Sequence, residues 1–164
     1  MKFLILSLLL VPVASKISFS QEHNIHPVKY IFDPNANAKD DLSNAIATAG
    51  KEHKHVFILI GGDWSPESVQ CNTMLAKDYI QKVLQDNYVF IRINFSPSNK
   101  NEEVLRQQLD CPKYDGYPIL MVLDENGKKV VTKTGAEFKL APNNYYAPKI
   151  EKALKDWAAI KSPK

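Results

Sequence analysis

A continuous apolar run, His55-Val-Phe-Ile-Leu-Ile60, constrains the fold of this chain most strongly. The run contains β-branched residues and ends at Gly61-Gly62, a pattern typical of a strand that is covered on both faces. A helix is predicted to begin directly afterwards, because Ser65 is placed as an N-cap and Pro66 occupies the first helical position. The sequence therefore predicts a central strand that leads into the N-terminus of a helix.

Helical and strand patterns alternate along the rest of the chain. Apolar residues at helical spacing predict helices over residues 36–53, 66–86, 102–109 and 144–160. Apolar runs or alternating patterns predict further strands over residues 28–32, 88–95, 119–123 and 129–133, with a hairpin turn at Asp124-Glu-Asn-Gly127. The early alternation requires crossover connections, whereas the hairpin adds an antiparallel edge. This order predicts an α/β fold with a central mixed β-sheet flanked by helices.

The first twenty residues have the layout of a signal peptide. Met1-Lys2-Phe3 leads into an apolar run from Leu4 to Val13, and small and polar residues follow. The run is shorter than the roughly 20 residues that span a bilayer. We therefore predict a signal peptide over residues 1–20. Residues 21–36 have no sustained periodicity and are predicted to form an N-terminal arm, followed by one domain over residues 37–160. The mature protein is expected to be secreted or periplasmic, without stable membrane insertion.

Charge and histidine content exclude two kinds of site. The chain has 21 basic and 18 acidic residues and no basic stripe, so nucleic acid is not an expected partner. His23, His26, His53 and His55 form two close pairs, but no cluster of cysteines or acids completes a set of four metal ligands. We expect neither a metal nor a cofactor.

Three motifs together resemble the thioredoxin superfamily. Gly61-Gly-Asp-Trp-Ser-Pro-Glu-Ser68 resembles the active-site turn of that family, in which the pattern is Trp-Cys-x-x-Cys. Asp115-Gly-Tyr-Pro-Ile-Leu-Met-Val-Leu-Asp-Glu-Asn-Gly127 resembles the stretch in which a cis-proline precedes a strand and a hairpin, and Thr134-Gly-Ala136 matches the glycine before the last helix. The resemblance implies a thioredoxin fold. It is strongest to exported thioredoxin-like proteins described as thiol–disulfide oxidoreductases or disulfide isomerases.

The motif departs from that family at its two reactive positions. Ser65 and Ser68 stand where the cysteines belong, which makes Ser65-Pro66-Glu67-Ser68 a degenerate active-site motif. A cysteine at the first position is a thiolate stabilised by the helix N-terminus, and the second cysteine resolves the mixed disulfide. A serine hydroxyl is far less acidic than a thiol and forms no disulfide, so serine can perform neither role. Leu59 also stands where many members of the family carry a buried acid.

The resemblance also implies a surface that binds polypeptide. In the family, the cis-proline lies against the active-site turn and holds backbone that pairs with an extended substrate. Carried over to this sequence, Pro118 would be the cis residue. Trp64, Ser65 and Tyr117 would form a shallow peptide-binding ledge with it.

The two cysteines leave several alternatives open. In an oxidising compartment Cys71 and Cys111 could form a disulfide, or they could be two separate buried thiols. Cys71 follows Ser68 by three residues, so it could also be a displaced nucleophile or a packing residue.

Three functions follow from these observations. The leading hypothesis is an exported thioredoxin-like protein without a redox dithiol that binds polypeptide clients or envelope proteins during protein folding. The first alternative is an active oxidoreductase or disulfide isomerase that uses Cys71, with or without Cys111. The second alternative is a structural interaction subunit. The identity of the client and the oligomeric state stay open.

Overall fold

The computed structural model describes residues 29–111, 116–141 and 144–160. The predicted signal peptide and the first residues of the predicted arm, including His23 and His26, lie outside these ranges. The helices are α1 (Ala38–Glu52), α2 (Pro66–Leu75), α3 (Asp78–Asn87) and α4 (Ala147–Ala158). The strands are β1 (His55–Gly61), β2 (Tyr88–Asn94), β3 (Ile119–Leu123), β4 (Lys129–Thr134), β5 (Lys139–Ala141) and β6 (Asn144–Tyr145).

Four strands form the central sheet in the order β2-β1-β3-β4. Strand β1 runs parallel to β2, with His55 opposite Tyr88, and antiparallel to β3. Strand β4 returns antiparallel to β3 through the hairpin turn, where Gly127 has a positive φ of 81°. The predicted α/β fold with a mixed central sheet is confirmed. Strand β1 lies inside the sheet, between a parallel and an antiparallel neighbour.

The two faces of β1 divide the core into two clusters. Phe57 and Leu59 face α2, α3 and α4, whereas Val56, Ile58 and Ile60 face α1. All five side chains are fully buried. This arrangement explains why the run His55–Gly61 is apolar without alternation, since both of its faces are covered by helices.

The single helix predicted over residues 66–86 is wrong, because α2 ends at Leu75 and α3 begins at Asp78. In a continuous helix the positions after Leu75 on the buried side would be Asp78 and Tyr79. The break at Lys77, which has extended backbone, shifts the phase so that Ile80 enters the core instead. The Gln81 side chain donates to the Leu75 carbonyl at 2.8 Å and so satisfies the end of α2.

Three other predicted elements differ in detail. Residues 29–32 form no strand, although Phe32 inserts into the core. The predicted helix over residues 102–109 is mainly a π-helical turn, Val104–Gln108. The last helix begins at Ala147 rather than at residue 144, because β5 and β6 form a small ribbon just before it. None of the described helices is long and apolar enough to cross a bilayer.

Candidate functional site

The turn between β1 and α2 packs closely against the first turn of the helix. A Cβ atom at Gly61 would lie 2.5 Å from Ser68 Oγ and 2.8 Å from Ser68 Cβ, so only glycine fits there. Asp63 Oδ2 and Oδ1 accept hydrogen bonds of 3.1 Å each from the backbone amides of Ile31 and Phe32. The turn is thereby tied to residues 31–32 of the N-terminal arm.

The side-chain hydroxyls of Ser65 and Ser68 differ in their hydrogen bonding. Ser65 is buried at the N-cap of α2, and its Oγ accepts a hydrogen bond of 3.2 Å from the Ser68 backbone amide. Ser68 is also buried, but its own Oγ has no hydrogen-bond partner. The first serine stabilises the helix start, whereas the second leaves a hydroxyl unsatisfied.

This difference predicts that substitution by alanine changes the free energy of unfolding differently at the two serines. Ser65→Ala removes the N-cap and should lower the free energy of unfolding by about 1 kcal/mol. Ser68→Ala removes a buried hydroxyl without a partner, so it should leave stability unchanged or raise it by about 1 kcal/mol. Urea denaturation of the two variants, which serve as matched controls for each other, measures both values. Equal destabilisation of the two would contradict the assignment of the cap to Ser65.

A groove of about 720 Å³ lies beside the start of α2. It brings together the four residues that the sequence predicted to bind polypeptide: Trp64, Ser65, Tyr117 and Pro118. The groove is also lined by Glu67, Gly116, Thr134, Gly135, Ala136 and Lys139. Residues from four separate parts of the chain therefore meet at one site.

An aromatic cluster holds Trp64 in place at the rim of this groove. Its indole Nε1–H donates to the Phe95 carbonyl at 2.5 Å, and its ring lies 5.9 Å from the Tyr117 ring in an edge-on arrangement. The Tyr117 ring stacks on Phe95 at 4.6 Å. Trp64 nevertheless remains 52% exposed. A fixed, exposed aromatic ring binds a ligand with little loss of side-chain entropy.

Pro118 joins the groove to the segment after β4. The Tyr117–Pro118 peptide bond is cis, and the Pro118 carbonyl accepts a hydrogen bond of 2.8 Å from the Gly135 amide. A Cβ atom at Gly135 would collide with the Tyr145 hydroxyl and lie 2.8 Å from Pro118 Cδ. Glycine at position 135 thus permits the close approach that shapes this wall of the groove.

Neither cysteine lines the groove, and the two lie on opposite faces of the sheet. Cys71 is fully buried in the cluster that contains Leu59, and burial raises the pKa of its thiol to about 12. Cys111 is half-buried against the cluster that contains Ile60. Burial also raises the pKa of the Cys111 thiol, although Lys129 offsets part of the rise.

No disulfide joins Cys71 to Cys111, so the pairing left open by the sequence is not formed. The sheet itself separates the two side chains. The displaced nucleophile is not supported either, since Cys71 does not line the groove and its thiol stays protonated at neutral pH.

Comparison with known proteins identifies the family. A family model described as thioredoxin-like matches residues 37–125, which is more than half of the chain. The chain belongs to the thioredoxin-like family. No curated protein sequence matches it at a significant level.

Solved structures share the thioredoxin-like fold with this chain. A disulphide isomerase from Xylella fastidiosa Temecula1 is 22% identical, with a TM-score of 0.63, and the match covers 80% of this chain and 96% of that one. A structure described as DsbH oxidoreductase is 17% identical, with a TM-score of 0.50, and the match covers 73% of this chain and 82% of that one. These similarities confirm the predicted fold.

Two residues of the groove, Glu67 and Lys139, were assigned no role from the sequence of this thioredoxin-like chain. Glu67 lies in the first turn of α2, and Lys139 lies at the start of β5. Lys139 Nζ is 3.1 Å from Glu67 Oε1 although 72 residues separate them along the chain. Charged residues are common in both segments, so the sequence does not single out this pair. The contact between Glu67 and Lys139 follows only from the placement of β5 beside α2.

Proposed function

We propose that this thioredoxin-like protein is exported and binds extended polypeptide segments in its groove without exchanging disulfides. One observation carries the proposal: the exposed, fixed ring of Trp64 lies beside Ser65 and Pro118 in a single groove. A concave site with an aromatic anchor is suited to binding extended chains. The signal-peptide pattern of residues 1–20 supports export, and a groove suited to extended chains in an exported protein favours a role in protein folding in the cell envelope.

The chemistry of the site supports binding without thiol exchange. The similar structures are described as a disulphide isomerase and an oxidoreductase. Both descriptions concern redox chemistry, for which a hydroxyl at Ser65 or Ser68 is far too weak an acid and forms no disulfide. The alternative enzyme that uses Cys71 is disfavoured by the burial of that thiol.

Polypeptide binding should depend on Trp64. The probe is fluorescein-labelled ribonuclease that has been reduced and blocked with iodoacetamide, which keeps it unfolded and without free thiols. Trp64→Ala should weaken binding by about tenfold or more, because it removes the exposed aromatic anchor of the groove. Fluorescence anisotropy measures the dissociation constant.

Tyr79→Ala provides the matched control. Tyr79 is an aromatic residue of comparable exposure, 44%, and it is not among the residues that line the groove. This variant should bind the probe as the wild type does. Equal binding by wild type and Trp64→Ala, or no binding by the wild type, would overturn the proposed function.

A further inference from the structure

Glu67 and Lys139 are the two charged residues among the described side chains that line the groove. They form an ion pair in which Lys139 Nζ is 3.1 Å from Glu67 Oε1. Trp64 lines the same groove, so an extended segment that fills the groove would contact both the indole ring and this pair. The groove offers that segment an aromatic contact and a pair of opposite charges.

The two charges differ in how readily each can lose its partner. The Lys139 side chain is only 19% exposed and lies over the Tyr145 ring, with its Nζ 5.5 Å from the ring centroid. A poorly solvated ammonium group needs an anion nearby. The Glu67 side chain is 38% exposed and lies in the first turn of α2, where the helix dipole favours a negative charge even without Lys139.

This asymmetry favours an acidic ligand over a basic one. A carboxylate of the ligand can replace Glu67 as the partner of Lys139, because Glu67 can turn towards solvent at small cost. A basic ligand that paired with Glu67 would instead leave the half-buried Lys139 ammonium group without an anion. A neutral ligand would leave the ion pair intact and gain nothing from it.

We propose that the groove selects extended polypeptide segments that carry an aspartate or glutamate where they pass Lys139, and that Glu67 occupies this position while the groove is empty. The inference rests on the proposed function, because it names the chemistry of the polypeptide that the groove prefers. Glu67 acts as an internal competitor of the ligand carboxylate, and Lys139 is the residue that determines specificity.

Matched peptides test this selection. Short fluorescein-labelled peptides carry one phenylalanine in a background of serine and alanine, with glutamate, glutamine or lysine at successive positions after the phenylalanine. At the position that faces Lys139, the glutamate peptide should bind the full-length wild-type protein roughly three- to tenfold more tightly than the glutamine peptide. The lysine peptide should bind most weakly, and added salt should reduce these differences.

Two variants assign the effect to the ion pair. Glu67→Gln removes the competing carboxylate, so it should increase the preference for glutamate over glutamine by a further few-fold. Lys139→Met should bring the ratio of the two dissociation constants close to one. Lys155→Met is the matched control, since Lys155 lies on α4, pairs with Glu151 and is not among the residues that line the groove; it should keep the wild-type ratio.

The outcomes separate this inference from the function on which it rests. If peptides bind in a way that depends on Trp64 but glutamate and glutamine peptides bind equally at every position, the selection is overturned and the polypeptide-binding function stands. Tighter binding of the lysine peptide, or an unchanged ratio in Lys139→Met, also overturns the selection. If no peptide binds but the unfolded ribonuclease does, the selection is overturned and the polypeptide-binding function stands; if neither binds, both proposals fail.

Discussion

The double variant S65C/S68C is expected to show thiol–disulfide oxidoreductase activity well above that of the wild-type protein. The Ser65 side chain lies at the N-terminus of α2, where backbone donors and the helix dipole would stabilise a thiolate. Residue 68 lies one turn further along the same side of the helix, within reach of a mixed disulfide formed at residue 65. Insulin reduction in the presence of dithiothreitol should rise from the uncatalysed background to clear turnover.

Single variants control this gain of function. S65C should form mixed disulfides with client polypeptides but not release them, because it has no resolving thiol. S68C should stay unreactive, since residue 68 is fully buried and, unlike residue 65, does not line the groove. Leu59 offers no acid to assist the resolving cysteine, so turnover of the double variant should be limited at that step. The contradicting result is a correctly folded double variant that neither forms a disulfide nor reduces insulin. This result would show that the site differs from an active oxidoreductase site by more than its two cysteine side chains.

Phe32→Ala should destabilise the protein by about 3–5 kcal/mol, as large truncations in protein cores do. Phe32 is 1% exposed and packs in the core cluster with Leu59 and Cys71. Its Cζ would lie 3.2 Å from a Cβ at Gly61, so the ring supports the back of the turn that leads to Ser65. Urea denaturation of wild type and variant gives the difference in free energy of unfolding.

Tyr30→Ala is the control for this effect, because Tyr30 belongs to the same segment but is 47% exposed. Its substitution should change stability by less than about 0.5 kcal/mol. A loss below about 1 kcal/mol for Phe32→Ala would mean that the arm is not part of the folded core.

The predicted boundary between arm and domain at residue 37 rested on the lack of periodicity before it. The Asp63 carboxylate, which accepts hydrogen bonds from Ile31 and Phe32, supplies the order that no periodic pattern signals.

The central elements could be predicted because local patterns determine them. The run His55–Gly61 is apolar on both faces, and Ser65-Pro66 is a strong helix start, so the strand and the turn after it follow from neighbouring residues alone. The break between α2 and α3 could not be predicted in this way. No glycine or proline lies between Leu75 and Asp78, and only the need to bury Ile80 rather than Asp78 requires the change of phase.

The site was predicted where motifs carry it and missed where distant segments create it. Trp64 and Pro118 belong to stretches that resemble a known family, and the fold brings them into one groove. The Glu67–Lys139 pair depends on a strand of three residues, β5, which is too short to leave a pattern. Likewise, the separation of Cys71 from Cys111 depends on which face of the sheet each residue covers, and their presence in the sequence does not specify this.

The most direct test of the account is insulin reduction by the purified wild-type protein with dithiothreitol as the reductant. We predict a rate equal to that of dithiothreitol alone, and the same rate for Cys71→Ala, because serine hydroxyls and a buried, protonated thiol cannot carry the exchange. Turnover well above that background, especially turnover that is lost in Cys71→Ala, would contradict the conclusion that this groove binds polypeptide without thiol chemistry.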